Sequence, residues 1–75
     1  MENNQTQNNQ TNIVPLWGKY TLTIREAAEY FNIGEKRLRS IVYSNPNADF
    51  VVMNGNRAMI KRKIFELYID KATAV

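Results

Sequence analysis

The sequence predicts a small α+β domain made of a short strand, two short helices, a β-hairpin and a closing helix. Three observations predict it. Two apolar stripes at helical spacing stand on either side of Gly34. An Asn54-Gly55 pair separates two runs of β-formers, Phe50 to Met53 and Ala58 to Lys61. A third helical stripe then follows without a break. Seventy-five residues suffice for one domain, and no internal repeat divides them.

The first twelve residues contain five Asn, three Gln and two Thr, and Met1 is their one apolar side chain. Such a stretch cannot bury enough surface to offset the entropy of ordering it. Residues 1–12 are expected to be a disordered tail, with 13–18 as its joint. The domain boundary falls near Trp17, leaving residues 1–16 outside it and 17–75 inside. Trp17-Gly18-Lys19-Tyr20-Thr21-Leu22 is rich in aromatic and β-branched residues and predicts the short strand. Thr23-Ile24-Arg25-Glu26 has capping-box spacing and opens a helix to about Phe31, with Ile24, Ala27, Ala28 and Phe31 on its buried side. Asn32-Ile33-Gly34 is a tight turn, with the special backbone angles assigned to Gly34. With Gly34 as the cap, Ile33 can pack onto Leu38.

The second helix is expected over Glu35–Ser44, with Leu38, Ile41 and Val42 facing inward and Pro46 ending it. Two hairpin registers are open. Pairing Met53 with Ala58 puts Val51, Met53, Ala58 and Ile60 on one face, whereas pairing Met53 with Asn56 mixes polar and apolar groups on both. Burial favours the first, which leaves Asn54 to Arg57 as a protruding tip. The last helix spans about Arg62 to Ala72, with Ile64, Phe65, Tyr68, Ile69 and Ala72 on its buried arc. Trp17 and Tyr20 are expected to pack in the core or along its edges, and Tyr30, Phe31, Phe50, Phe65 and Tyr68 in the core.

Composition removes several function classes. Without Cys or His the chain cannot build a disulfide framework, a structural zinc site or a histidine-based catalytic triad. No apolar run approaches the roughly 20 residues that span a bilayer, and no secretory signal opens the chain, so a cytoplasmic protein without membrane contact is expected. The carboxylates form no compact set for metal-assisted hydrolysis. The three glycines, at 18, 34 and 55, make no phosphate-cradling loop. No catalytic residue, cofactor or metal is expected, and a binding module remains.

Charge tells where it binds. Apart from Glu2 every charged residue lies in 19–75, where ten basic groups face six acidic ones. With Lys36 at zero and 100° per residue, Leu38, Ile41 and Val42 fall between about 140° and 240° on the helical wheel. Arg37, Arg39, Ser40, Tyr43 and Ser44 fall between about −60° and 100°. That face carries three cations, hydroxyls and a phenol, while Glu35 sits on its flank. Arginine and lysine can fork onto guanine edges or grip phosphates, and Ser40 and Tyr43 can bond phosphate or base. A charged helix face is usually only solvated surface. Here a short helix and a tight turn precede it, which is helix-turn-helix organisation. A hairpin tip with Asn54, Asn56 and Arg57 follows, of a size to reach a minor groove. Lys61, Arg62 and Lys63 place cations against the positive end of the last helix, a local cost that favours a phosphate-facing use. The reading is double-stranded DNA binding.

The run Trp17-Gly-Lys-Tyr-Thr-Leu-Thr-Ile-Arg-Glu-Ala-Ala-Glu-Tyr-Phe-Asn-Ile-Gly-Glu-Lys-Arg-Leu-Arg39 resembles the excisionases of conjugative transposons in Gram-positive bacteria. Val51-Val-Met-Asn-Gly-Asn-Arg-Ala-Met-Ile-Lys-Arg-Lys-Ile-Phe-Glu66 is similar to the same family's hairpin and following helix. The resemblance implies a winged helix-turn-helix fold without catalytic activity. It implies a recombination directionality factor that binds near the ends of an integrated element and bends the DNA. The partners implied are a tyrosine-recombinase integrase and neighbouring copies on DNA. Carried over by position, Lys36, Arg37, Arg39, Ser40 and Tyr43 match the helix that enters the major groove, and Asn54, Asn56 and Arg57 match the wing. Lys61, from the basic cluster at the start of the last helix, joins the candidate site as a phosphate contact. A transcriptional regulator of a mobile element shares the same physics, and an adaptor for an acidic protein is a more distant alternative.

Overall fold

The computed structural model describes residues 14–75. The expected Asn/Gln-rich tail lies outside the described residues. A 3-10 turn, Leu16–Gly18, leads into strand β1, Thr21–Thr23. Helices α1, Ile24–Phe31, and α2, Glu35–Ser44, come next. Strands β2, Val51–Asn54, and β3, Arg57–Lys61, form the hairpin, and helix α3, Arg62–Lys71, closes the chain. The sheet is antiparallel with order β1-β3-β2, so the last strand in sequence is central. The architecture is the small α+β winged-helix arrangement that the sequence predicts.

Each helix is bounded as its sequence dictates. The Thr23 hydroxyl accepts from the Glu26 amide at 3.1 Å, while the Glu26 carboxylate accepts from the Thr23 amide at 3.0 Å. Two donors that the helix leaves unpaired are thus satisfied together. The Glu26 carboxylate also takes a bond from the Lys19 ammonium, which holds its pKa below the ordinary glutamate value despite partial burial. Gly34 caps α2, as expected, but its φ is −57° and a Cβ there would meet nothing within 4 Å. The left-handed residue of the turn is Asn32, φ 56°, at the C-terminus of α1. Asparagine tolerates this conformation because its short amide bonds locally, so the glycine was not needed for it. The Asn45 side chain donates to the Ile41 carbonyl at 2.8 Å and closes α2 ahead of Pro46.

Met53 pairs with Ala58 and Val51 with Ile60, the register that burial favours. Asn54 pairs with Arg57, so the two loop residues are Gly55 and Asn56. Gly55 carries φ +68° and Asn56 does not have a positive φ, as in a type II′ turn with glycine at its first central position.

The core takes one or two side chains from β1, β3 and each of the three helices, and Phe50 from just before β2. Leu22, Ala27, Leu38, Val42, Phe50, Ala58, Ile60 and Phe65 are buried. Phe65 is at the centre, edge-on to Phe31 at 4.8 Å and to Phe50 at 4.9 Å between ring centroids. Four expectations are corrected. The strand is shorter than Trp17–Leu22, because Pro15 starts a 3-10 turn that uses up Leu16–Gly18. Trp17 and Tyr20 are 69% and 75% exposed rather than packed, since both lie outside the three-residue strand, ahead of its pairing with β3. Tyr68 covers the Phe50 and Phe65 rings yet remains 39% exposed. The closing helix stops at Lys71, and Ala72 is its half-buried cap.

Candidate nucleic-acid interface

Leu38 and Val42, one turn apart, anchor α2 against the core, and Ile41 lies half-buried beside them. The opposite side is bare. Lys36, Arg37, Arg39, Ser40, Tyr43 and Ser44 are all exposed, as the helical wheel requires. No part of the described chain covers this face. At the hairpin, Asn54, Gly55, Asn56 and Arg57 stand exposed at the tip. The Asn54 amide lies 3.7 Å from the Met59 sulfur.

An open groove runs between α2 and the hairpin. Arg39 and Tyr43 line it from the helix, and Asn56 and Arg57 line it from the tip. Thr23, Ile24 and Arg25, at the start of α1, form its floor together with Ala58. The fold therefore brings four of the nine expected site residues into one channel. Lys36, Arg37 and Ser40 extend the cationic face of α2 beyond it, and Asn54 stands exposed at the tip opposite Arg57, outside the groove lining. Lys61 is apart. It is half-buried at the far end of β3, opposite Thr21, about 14 Å along the strand from Arg57.

Two charged groove residues escaped the sequence reading of the site. Arg25 lies in the first turn of α1, and only the tertiary fold sets it beside the hairpin. Glu35, placed on the flank of α2 by the wheel, reaches into the groove and pairs with Arg39 at 2.9 Å. Its spacing, four residues before an arginine, was a legible signal for that pair.

The second basic cluster loses its middle member. Arg62 has a side chain only 12% exposed and is turned inward. Its Nε donates to the Lys19 carbonyl at 2.9 Å and its Nη1 to Glu66 at 2.9 Å, and the guanidinium lies 5.8 Å from the centre of the Tyr30 ring. Tyr30 also donates to the same Glu66 oxygen at 2.7 Å. That bond, aided by Arg62, keeps the Glu66 carboxyl below its ordinary pKa. The arginine thus compensates for the cationic start of α3 by tying three elements together, which is a structural use and not a phosphate contact.

An exposed cationic helix, a tip beside it and a shared groove are the working parts of a DNA-binding module. Residues 7–75 match the family described as excisionase from transposon Tn916. The excisionase from transposon Tn916 of Streptococcus agalactiae serotype V is 54% identical over 62 residues, which cover 83% of this chain and 92% of that protein. The chain belongs to the excisionase family. Its members are accessory factors of recombination in mobile elements rather than enzymes. Among the described residues no group of three or more Asp or Glu side chains is arranged to hold a metal ion. No described helix is long and apolar enough to cross a membrane.

Proposed function

We propose that this excisionase is a sequence-specific double-stranded DNA-binding and bending protein that assists a tyrosine-recombinase integrase in excising a mobile element. The observation that carries the reading is the groove shared by α2 and the hairpin, with cations from α1, α2 and β3 on its walls. Residues 17–75 form the binding unit, which works in the cytoplasm on nucleoid DNA. Helix α2 enters a major groove, about 12 Å wide and able to admit one helix. Arg39 and Tyr43 read base edges from it, while Lys36, Arg37 and Ser40 hold the flanking phosphates. Asn54, Asn56 and Arg57 follow the neighbouring minor groove as a wing, and Lys61 meets the backbone farther along.

Bending a site of 20–30 base pairs costs on the order of 1–6 kcal/mol. Adjacent copies on repeated sites share that cost and bring distant integrase sites together. If about five cations meet phosphates, log K falls with log salt at a slope near −4 to −5.

The test is footprinting on the ends of the element that encodes the protein, with and without its integrase. Protection of clustered repeats at those ends, and faster excision in its presence, is the expected result. Protection confined to a promoter, with excision unaffected, makes the protein a regulator instead. A salt slope near zero removes DNA as the partner.

A further inference from the structure

We infer that Glu35 is a specificity determinant of this protein, a positioning residue that holds Arg39 for base reading and away from phosphate. The inference rests on the DNA-binding reading above and goes beyond it in assigning a role to the groove's one carboxylate. Three arginines line that groove from three elements, Arg25, Arg39 and Arg57, and Glu35 is the sole acidic residue among the lining groups. A negative charge in a channel for a polyanion lowers affinity for any duplex, whatever its sequence. Fold stability gives only a weak reason to accept that loss, the modest attraction of a first-turn carboxylate to the positive end of α2. The Glu35–Arg39 pair is four residues apart on one exposed helix face, with side chains 45% and 51% exposed, and such pairs contribute little to stability.

The geometry points to the guanidinium. Glu35 Oε2 accepts from one Nη2 hydrogen of Arg39 at 2.9 Å. Arginine has five N–H donors in a rigid fork, so a second edge stays available for guanine O6 and N7. A phosphate seeking the same arginine must come close to the carboxylate or pull the pair apart. A guanine edge need do neither. Glu35 thereby fixes the angle of Arg39 before DNA arrives and penalises the sequence-independent alternative. This pre-orientation is the general means by which an exposed arginine gains selectivity instead of mere grip.

The experiment compares the full chain with Glu35→Gln by fluorescence anisotropy. One probe is a duplex carrying the most strongly protected site at the element end, and the other is a pool of random duplexes of equal length. Circular dichroism first shows both proteins folded at the assay temperature. Glu35→Gln is expected to bind the random pool more tightly and to lose about tenfold in the ratio of specific to random affinity. Its salt slope on the random pool is expected to steepen by about one as Arg39 moves to phosphate. Repeating the change in an Arg39→Ala background is expected to leave the ratio where Arg39→Ala alone puts it, since Glu35 acts through that arginine. An unchanged ratio and slope in Glu35→Gln overturns the inference while leaving DNA binding standing. So does an equal fall in the Arg39→Ala background, which gives Glu35 a base contact of its own. If the parent chain binds neither probe in a salt-dependent way, the DNA reading fails and the role of Glu35 goes with it.

Discussion

Replacing Arg62 by alanine is expected to remove a large share of the domain's stability without touching the DNA groove. The Nε bond to the Lys19 carbonyl, from a charged donor whose side chain is 12% exposed, contributes about 1.5–3 kcal/mol. The Glu66 pair is four residues apart with its carboxylate 36% exposed, so it adds only about 0.5 kcal/mol. The contact with the Tyr30 face, at 5.8 Å, adds a similar amount. Allowing for shared partners, the loss is about 3 kcal/mol. A domain of about 60 residues has roughly 3–9 kcal/mol in total. The melting temperature should fall by roughly 12–24 °C. Thermal melts followed by circular dichroism, with urea titrations to check that the m-value holds, measure it. DNA binding by the folded fraction should keep its salt slope. A variant that melts like the parent but has a slope shallower by about one would refute the reasoning and return Arg62 to the phosphate-contacting group.

Three further outcomes are expected. Thr23→Ala removes one half of the capping box and should cost about 1 kcal/mol, read as a drop of about 4–8 °C in melting temperature, with Thr23→Ser restoring most of it. Arg39→Ala should weaken binding to the specific site by about 1–3 kcal/mol, against a smaller change on random duplex, as anisotropy titrations at fixed salt would show. Acid should destabilise the fold through Glu26 and Glu66. Both have a folded pKa below the unfolded value, so their stabilisation is complete above about pH 4.3 and is lost as pH falls through the lower folded values. Melting temperature followed into the acid range should decline there for the parent, and less steeply for Glu66→Gln, which has no carboxylate to protonate.

Local patterns carried most of the fold into the sequence. The Thr23–Glu26 box, the Leu38/Val42 stripe and the Asn54-Gly55 pair each depend on neighbours within a few positions, and each gave the element it predicted. What stayed hidden depends on distance. Arg62 looked like one more surface cation because its carbonyl partner is 43 positions earlier, and the Tyr30–Glu66 bond spans 36. Arg25 became a groove residue only when α1 and the hairpin came together. The turn between α1 and α2 points to Gly34 because glycine is the usual bearer of a left-handed backbone, whereas Asn32, a residue type that tolerates that conformation, takes the role. Trp17 and Tyr20 misled for the opposite reason. Their type favours burial, but a 3-10 turn and a three-residue strand present no surface to bury them against.

Strand β3 passes into α3 with no residue between them, Lys61 ending one and Arg62 beginning the other. The same strand is laced to a neighbour on both edges and starts at Arg57, on the groove wall. The tip and the closing helix are therefore opposite arms of one crank, with the sheet as its bearing. Sideways load on the tip thus meets no linker that could absorb it before the closing helix.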